Sequence, residues 1–280
     1  AYLWLVQQDE AWATADNARK AVRAACLYAP KLPALTEEVI IPTLNGYVHL
    51  EDGVLVLKPA DPALGVTHCL ACTYVPGGAE AARFQQFHEM VLPDPRLRLR
   101  VQEYVGYTLM ADARYQRAQI WLGEGANGKG VLANIVQALH GRTAAVALDQ
   151  LAGFRLSGLV GASLIYVDEV PRKRVDEQTL KSLIAGERVA VDRKNKDILS
   201  VSLRGKWLVL GNHLPAVSDH SPGFWRRWDL VPFSVTIPER QRDAMLAKRI
   251  IRTELSGVLT WALSGLQRLQ HRGGFDPEGP

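Results

Sequence analysis

Sulfur is scarce in this sequence: among 280 residues there are three cysteines, Cys26, Cys69 and Cys72, and three methionines. So sparse and odd a cysteine set excludes a disulfide framework and leads to the expectation of a reducing, cytoplasmic setting. Cys69 and Cys72 have zinc-knuckle spacing beside His68, yet no second pair exists to complete a tetrahedral site, so they read as structural. Long apolar runs are missing too. Stretches such as residues 54–57 are strand-sized, far short of the roughly 18 residues of a membrane helix, so no membrane partner is expected. The opening residues have no basic n-region and soon reach Asp9 and Glu10, which argues against a signal peptide. The first residue is not Met, which leads to the expectation of a fragment, and no repeat or low-complexity tract is visible.

What is present is ordinary for a globular chain. Hydrophobic residues make up 48% and charged residues 22%, which sets aside disordered, collagen-like and coiled-coil readings. The length suits one large domain or two modest ones. A formal charge of +4 permits an acidic partner without demonstrating one.

Two textures divide the chain. Residues 13–27 carry helix formers at helical spacing, with Thr14 or Asp16 as N-cap and Pro30 as a stop. Residues 47–50 and 54–57 read as strands joined through Glu51, Asp52 and Gly53, with Gly53 supplying the positive φ of a tight hairpin. Helical periodicity returns over 81–90 and 97–110. Residues 1–100 are thus expected to form a smaller, mostly helical module with a β-hairpin. Beyond it, apolar runs at 118–122, 163–167, 206–210 and 229–233 each end in a polar or glycine-rich turn, the pattern of an α/β core over 101–237. The first three end just before residues able to do chemistry, so their carboxyl ends should line one crevice. Residues 239–252 and 254–270 predict two helices in a C-terminal segment, 238–280, that closes on an unstructured Gly- and Pro-rich tail.

The strongest chemical signal is Gly123-Glu124-Gly125-Ala126-Asn127-Gly128-Lys129, which fits G-x-x-x-x-G-K between an apolar strand and the helical stretch from Val131. Phosphate needs a ring of backbone N–H groups and the positive end of a helix, and a glycine-permissive turn delivers both. Lys129 adds a point charge for the β and γ phosphates. Gly130 departs from the pattern, which has Ser or Thr there to coordinate Mg²⁺; a water in that coordination position is the expected substitute. The 163–167 strand runs into Asp168 and Glu169. In nucleotidases with such a loop, one carboxylate holds the Mg²⁺ shell and the next acid polarises the attacking water. Asp168 therefore reads as the metal residue, acting through water, and Glu169 as the base. A third strand ends at Gly211 and Asn212, whose amide can orient a water without competing as a base. Arg226 and Arg227, between Trp225 and Trp228, read either as surface residues or as a finger toward the γ phosphate of a neighbouring subunit. Residues 186–197 read as a hairpin whose tip bears Arg193, Lys194 and Lys196, there for solvation or for contact with nucleic-acid phosphates.

Loop, acidic pair, basic hairpin, strand-borne Asn and Arg pair, in this order, resemble the superfamily III helicases, a branch of the AAA+ ATPases. The likeness is to the helicase part of phage, plasmid and poxvirus primase-helicases. It extends to Asn45 and Gly46, to Asp52, Gly53 and Val54, to the Tyr104–Tyr107 segment, and to Phe224 through Arg227. The resemblance implies a P-loop AAA+ core and a ring, expected to be hexameric, that binds ATP and Mg²⁺ between subunits and threads single-stranded DNA with 3′ to 5′ polarity. Residues 123–131 would bind nucleotide. Lys129, Asp168, Glu169 and Asn212 would act in cis, and Arg226 or Arg227 in trans, with Arg193, Lys194 and Lys196 on DNA. It also implies a primase or polymerase partner, a phage- or plasmid-encoded protein in a bacterial cytoplasm, and an N-terminal module that is a candidate oligomerisation collar. Two other readings stand beside it: a nucleotide-gated ring that binds DNA or recruits a primase with little unwinding, and a small-molecule phosphotransferase, against which the Arg pair and basic hairpin argue.

Overall fold

A computed structural model of the chain describes residues 2–29, 31–194, 196–219 and 221–276, leaving aside the side chains of Phe154 and Lys196. Pro30, Asn195 at the expected hairpin tip, and the final tail at 277–280 lie outside the described residues. Two units divide the chain, Ala1–Thr36 with Pro62–Gly65, and Glu37–Asp61 with Val66–Pro280.

The first unit holds α1 (Tyr2–Gln8), a 3-10 turn and α2 (Ala15–Tyr28). Thr14, rather than Asp16, takes the N-cap of α2: its Oγ1 accepts from Asn17 N at 3.1 Å, satisfying a donor that the first helical turn leaves free. Neither helix buries a residue, and Leu3, Trp4, Leu27 and Tyr28 are all exposed.

The second unit begins with an antiparallel sheet of β1 (Ile40–Thr43), β2 (Gly46–Glu51) and β3 (Val54–Lys58). Asp52 and Gly53 both have positive φ, 48° and 81°, as a two-residue hairpin loop of the primed type requires. Helices α3 (Ala82–Val91) and α4 (Pro95–Thr108) follow. Next come β4 (Ala118–Leu122), α5 (Lys129–Leu139), β5 (Thr143–Ala145), β6 (Leu164–Val167) and α6 (Glu177–Ile184). The chain continues through β7 (Arg188–Arg193), β8 (Lys196–Ser202), β9 (Lys206–Gly211), α7 (Pro222–Trp225), β10 (Trp228–Pro232) and α8 (Leu246–Arg272). Five strands make a parallel sheet in the order β10-β4-β9-β6-β5, while β7 and β8 pair only with each other as a hairpin.

Alternation along these strands sorts side chains to two covered faces. Trp121, Leu164, Leu208, Leu210 and Val231 join the core built from α3, α4, α5 and α8. Ile120, Ile165, Val167, Trp207 and Val209 face a second core that includes Leu180 and Leu183 of α6 and Val191 of the hairpin. The result is a mixed α/β fold with a parallel central sheet and helices, the class that the four apolar runs predict.

The C-terminal region differs from expectation: one 27-residue helix, α8, replaces the two predicted, preceded only by a short 3-10 turn at Glu239–Gln241. Nothing between Arg252 and Glu254 can break it, because Thr253 turns its hydroxyl onto Arg249 O at 2.9 Å, a bond that leaves the helix ladder intact. Glu254 instead caps another helix, its Oε2 accepting from Phe84 N of α3 at 2.9 Å. Helices α4 and α8 meet backbone to backbone. A Cβ at Gly106 would lie 2.5 Å from Ala262 O, and one at Gly265 would lie 2.3 Å from Gln102 O. Glu103 of α4, 5% exposed, accepts from Arg268 Nε at 2.6 Å and from Arg272, which closes the same interface with buried charge pairs.

One charge is deeper. Lys206 at the start of β9 is 2% exposed, donates from Nζ to Met110 O, and lies 5.3 Å from the Tyr107 ring centre. Burial pulls its pKa down to about 7, against a smaller opposing pull from Asp112.

Candidate functional site

Because β4, β9 and β6 are neighbours in a parallel sheet, the residues just past their carboxyl ends are neighbours as well. The loop after β4 turns through Gly125 (φ 116°), Ala126 (φ 49°) and Gly128 (φ 82°) before α5 begins at Lys129. Asn127 is 2% exposed and fixes this turn from beneath, donating from Nδ2 to Phe233 O at 3.2 Å and accepting from Lys129 N at 3.4 Å. Ile237 N donates to Ala126 O at 2.8 Å, a second tie between the loop and the segment after β10. The loop is held open around the N-terminus of α5, where free N–H groups and the helix dipole favour an anion.

Lys129 leans back across the loop. Its Nζ donates to Gly123 O at 2.6 Å and to Asn212 Oδ1 at 3.2 Å, so the end of β9 and the loop after β4 share one cation. Partial burial lowers its pKa, and the nearby Asp168 carboxylate opposes that shift. Past β6, Asp168 is exposed and accepts at Oδ1 from the Tyr166 hydroxyl at 2.7 Å. Glu169 is exposed beside it.

Gly125 to Val131, Asp168, Glu169, Leu210, Gly211 and Asn212 line one open cleft of about 490 Å³. That volume falls within the roughly 300–1,000 Å³ of ligand clefts. The expected crevice therefore exists, and it gathers a cation, two carboxylates and an amide with glycine-rich backbone. Two residues of the predicted nucleotide set, Gly123 and Glu124, do not line it; Gly123 contributes its carbonyl to Lys129 and Glu124 is exposed. At Gly130 a Cβ would meet nothing within 4 Å, leaving room where the hydroxyl of the usual Ser or Thr would stand. A hydrated divalent ion fits this donor set, with the Asp168 carboxylate on one side and water-sized room on the other. Among the described residues no group of three or more His, Cys, Asp or Glu could hold a metal directly. Cys72 is buried and Cys69 donates to the Leu70 carbonyl, in keeping with their structural reading.

Arg226 and Arg227 lie elsewhere. Strand β10 runs parallel to β4, Trp228 pairs with Ala118, and Arg227 O accepts from Ala118 N at 2.8 Å. The pair therefore sits at the amino edge of the sheet, about 16 Å of strand from the loop edge at roughly 3.3 Å per residue. Arg227 folds back onto Gly223 O and is partly buried, which lowers its pKa, whereas Arg226 is exposed. Across one subunit neither can reach the cleft.

The β7–β8 hairpin pins Val191 into the second core and leaves Ile198 66% exposed. Arg193 donates from Nε and Nη2 to Asp197 O at 3.1 and 2.9 Å, so its guanidinium braces the turn, while Lys194 is exposed. The side chain of Lys196 lies outside the described residues.

The sequence reading places Asn127 among the nucleotide-binding residues without its role beneath the loop, and it misses Tyr166. Asn127 stands at an unspecified motif position. Tyr166 was detectable through the two-residue period that puts it on the face of Asp168.

Comparison with known proteins adds to the fold. A family described as one of unknown function, DUF5906, matches residues 121–227, a span from β4 to the Arg pair. The A-form apo structure of the NrS-1 C-terminal region is similar at 14% identity and a TM-score of 0.57, covering 78% of this chain and 53% of that one. A second apo structure of the same region, 305-718, gives 14% identity and a TM-score of 0.56 over 78% and 54%. The chain thus spans about half the length of these structures. The X-ray structure of JCV helicase is more distant, at 12% identity and a TM-score of 0.42 over 67% of this chain and 61% of that one, and carries no argument. At such identities the likeness establishes a fold.

Proposed function

We propose that this chain is the ATP-hydrolysing core of a DNA helicase or translocase of the superfamily III type. The observation that carries the reading is the convergence of Lys129, Asp168, Glu169 and Asn212 on one glycine-lined cleft at the carboxyl edge of a parallel sheet. That set matches what phosphoryl transfer to water requires: a cation and backbone donors for the phosphates, a metal-facing carboxylate, a base and a water-orienting amide. In this reading the N-terminus of α5 and the loop amides hold the β and γ phosphates. Lys129 leaves the Gly123 carbonyl to meet the γ phosphate, which also frees Asn212 to orient the attacking water. Glu169 takes the proton of that water. Asp168 holds the water shell of Mg²⁺, and the ion, when bound, neutralises charge between the β and γ phosphates.

The arginines argue for more than one subunit. With the whole length of β4 between Arg226 and its own cleft, an arginine finger at this position would serve a neighbouring subunit's nucleotide, which favours a composite site between subunits of a ring. Arg226 is the better finger of the two, since Arg227 is engaged with Gly223 O. Six subunits, 3′ to 5′ polarity, a primase or polymerase partner and a phage or plasmid source rest on the sequence resemblance. Lys194, exposed just past the end of β7, suits single-stranded DNA, whose phosphates it would neutralise together with Lys196.

The test is ATP hydrolysis with Mg²⁺, with and without single-stranded DNA, for the chain and for Lys129→Ala. A rate that DNA raises and Lys129→Ala abolishes is the expected result. A Lys129-dependent rate indifferent to DNA, with no strand displacement on a tailed duplex, would replace the motor by a nucleotide-gated binding ring.

A further inference from the structure

Tyr166 and Asp168 stand two residues apart along one strand direction, so they face the same side of the sheet. On that side the Tyr166 ring packs against the core that contains Leu132, Ala133 and Val136 of α5, and its hydroxyl donates to Asp168 Oδ1 at 2.7 Å. Resting on the nucleotide reading above, we propose that Tyr166 is the positioning residue of the metal-facing carboxylate, supplying the hydroxyl that Gly130 lacks.

In loops of the G-x-x-x-x-G-K-[ST] type, a hydroxyl from the loop and a carboxylate from a neighbouring strand together fix a hydrated divalent ion. Here the loop offers no hydroxyl, and the space where a side chain would start at Gly130 is open for 4 Å. The Asp168 carboxylate then carries the protein's share alone. An exposed carboxylate rotates freely and must lose that freedom when it engages a metal shell. Tyr166 removes the freedom beforehand. Its ring packs against the core, and its hydroxyl holds Oδ1 of a carboxylate that lines the cleft. Since Tyr166 does not line the cleft, it acts through Asp168 and not by touching nucleotide. Partners hydrogen-bonded to a direct metal ligand commonly change metal affinity by about 10- to 100-fold, and because Asp168 acts through water the effect of Tyr166 is expected below that range.

The experiment is binding of a fluorescent ADP analogue, titrated with Mg²⁺, for the chain, Tyr166→Phe, Gly130→Ser and the double variant. The Phe variant keeps the ring and loses only the hydroxyl. We expect its Mg²⁺ midpoint to rise about fivefold, below the range for partners of a direct ligand, its Mg²⁺-free affinity to stay within about twofold, and Gly130→Ser in the same chain to bring the midpoint most of the way back. A Tyr166→Phe midpoint within about twofold of the parent overturns the proposal. So does a parallel loss of Mg²⁺-free affinity and of melting temperature, which would mark a packing role, or a raised midpoint that Gly130→Ser does not recover. Failure of the parent chain itself to bind nucleotide would overturn the function proposed above, a result separate from any difference among variants.

Discussion

Two glycines of the same loop, two residues apart, are expected to respond to alanine in opposite ways. Gly128 heads α5 at φ 82°, and a Cβ there would lie 2.5 Å from Val91 Cγ1 and 3.2 Å from the Phe87 ring. Forcing alanine into the left-handed region costs about 1–2 kcal/mol, and pushing a methyl into a packed α3 surface adds about 1–3 kcal/mol. Together these are about 2–5 kcal/mol, which at about 2–4 °C per kcal/mol for a chain of this size lowers the melting temperature of Gly128→Ala by roughly 4–20 °C. The loop can relieve the clash only by moving, so the variant should also lose stabilisation by nucleotide. Gly130 is already helical, and its Cβ position is empty to 4 Å. Alanine there removes the entropic penalty of glycine in a helix, about 0.5–1 kcal/mol, so Gly130→Ala should melt about 1–4 °C higher. Its nucleotide response should persist. Calorimetric melts with and without a Mg²⁺-bound non-hydrolysable ATP analogue measure both quantities. A Gly128→Ala chain that melts with the parent and keeps its nucleotide shift would refute the steric argument, as would a Gly130→Ala chain that loses the shift.

Three further outcomes are expected. Lys206 has its folded pKa pulled down to about 7 from 10.5, so the folded state binds this proton less tightly than the unfolded state; stability is lowest below pH 7 and rises toward pH 10 by up to about 1.4 kcal/mol per unit, a rise that denaturant melts at pH 7 and 9 should show for the parent and not for Lys206→Met. Mixing Arg226→Ala with Lys129→Ala subunits should restore part of the hydrolysis that each lacks alone, while a mixture with no recovery would remove the trans assignment. For the hairpin, Lys194→Ala with Lys196→Ala should weaken single-strand binding and flatten its salt dependence by about 0.7 in log–log slope per lost phosphate contact, and an unchanged slope would end the DNA role.

Four of the five parallel strands are legible in the sequence because a sheet covered on both faces needs continuous apolar runs, and the runs at 118–122 and 206–210 match β4 and β9 to within a residue, whereas the three-residue edge strand β5 shows no such run. Such runs hide which residues face which core. The position of Arg226 was unreadable for a related reason: only the strand order, with β10 beside β4, reveals that the arginine precedes a strand parallel to the loop strand and so lies at the far edge. Lys206 begins an apolar run, and its burial depends on Met110 and Tyr107, about a hundred residues earlier. The two-helix reading of the C-terminal region fails at residue 253, where α8 runs on without interruption and Glu254 is engaged by Phe84 of α3, a partner about 170 residues away that local pattern does not reveal.

That continuity makes α8 a lever. At about 1.5 Å per residue it runs roughly 40 Å, clamped along α4 by the close backbone approaches at Gly106 and Gly265 and by the ion pairs of Glu103. It also packs against α5, the helix that begins at the phosphate loop, and its Glu254 holds the first turn of α3, the helix touching Gly128. A strut so braced transmits angles better than distances. A tilt of about 3° at the loop end moves the opposite end by about 2 Å over that length, so the C-terminal end of α8 takes its orientation from the helix layer around the cleft.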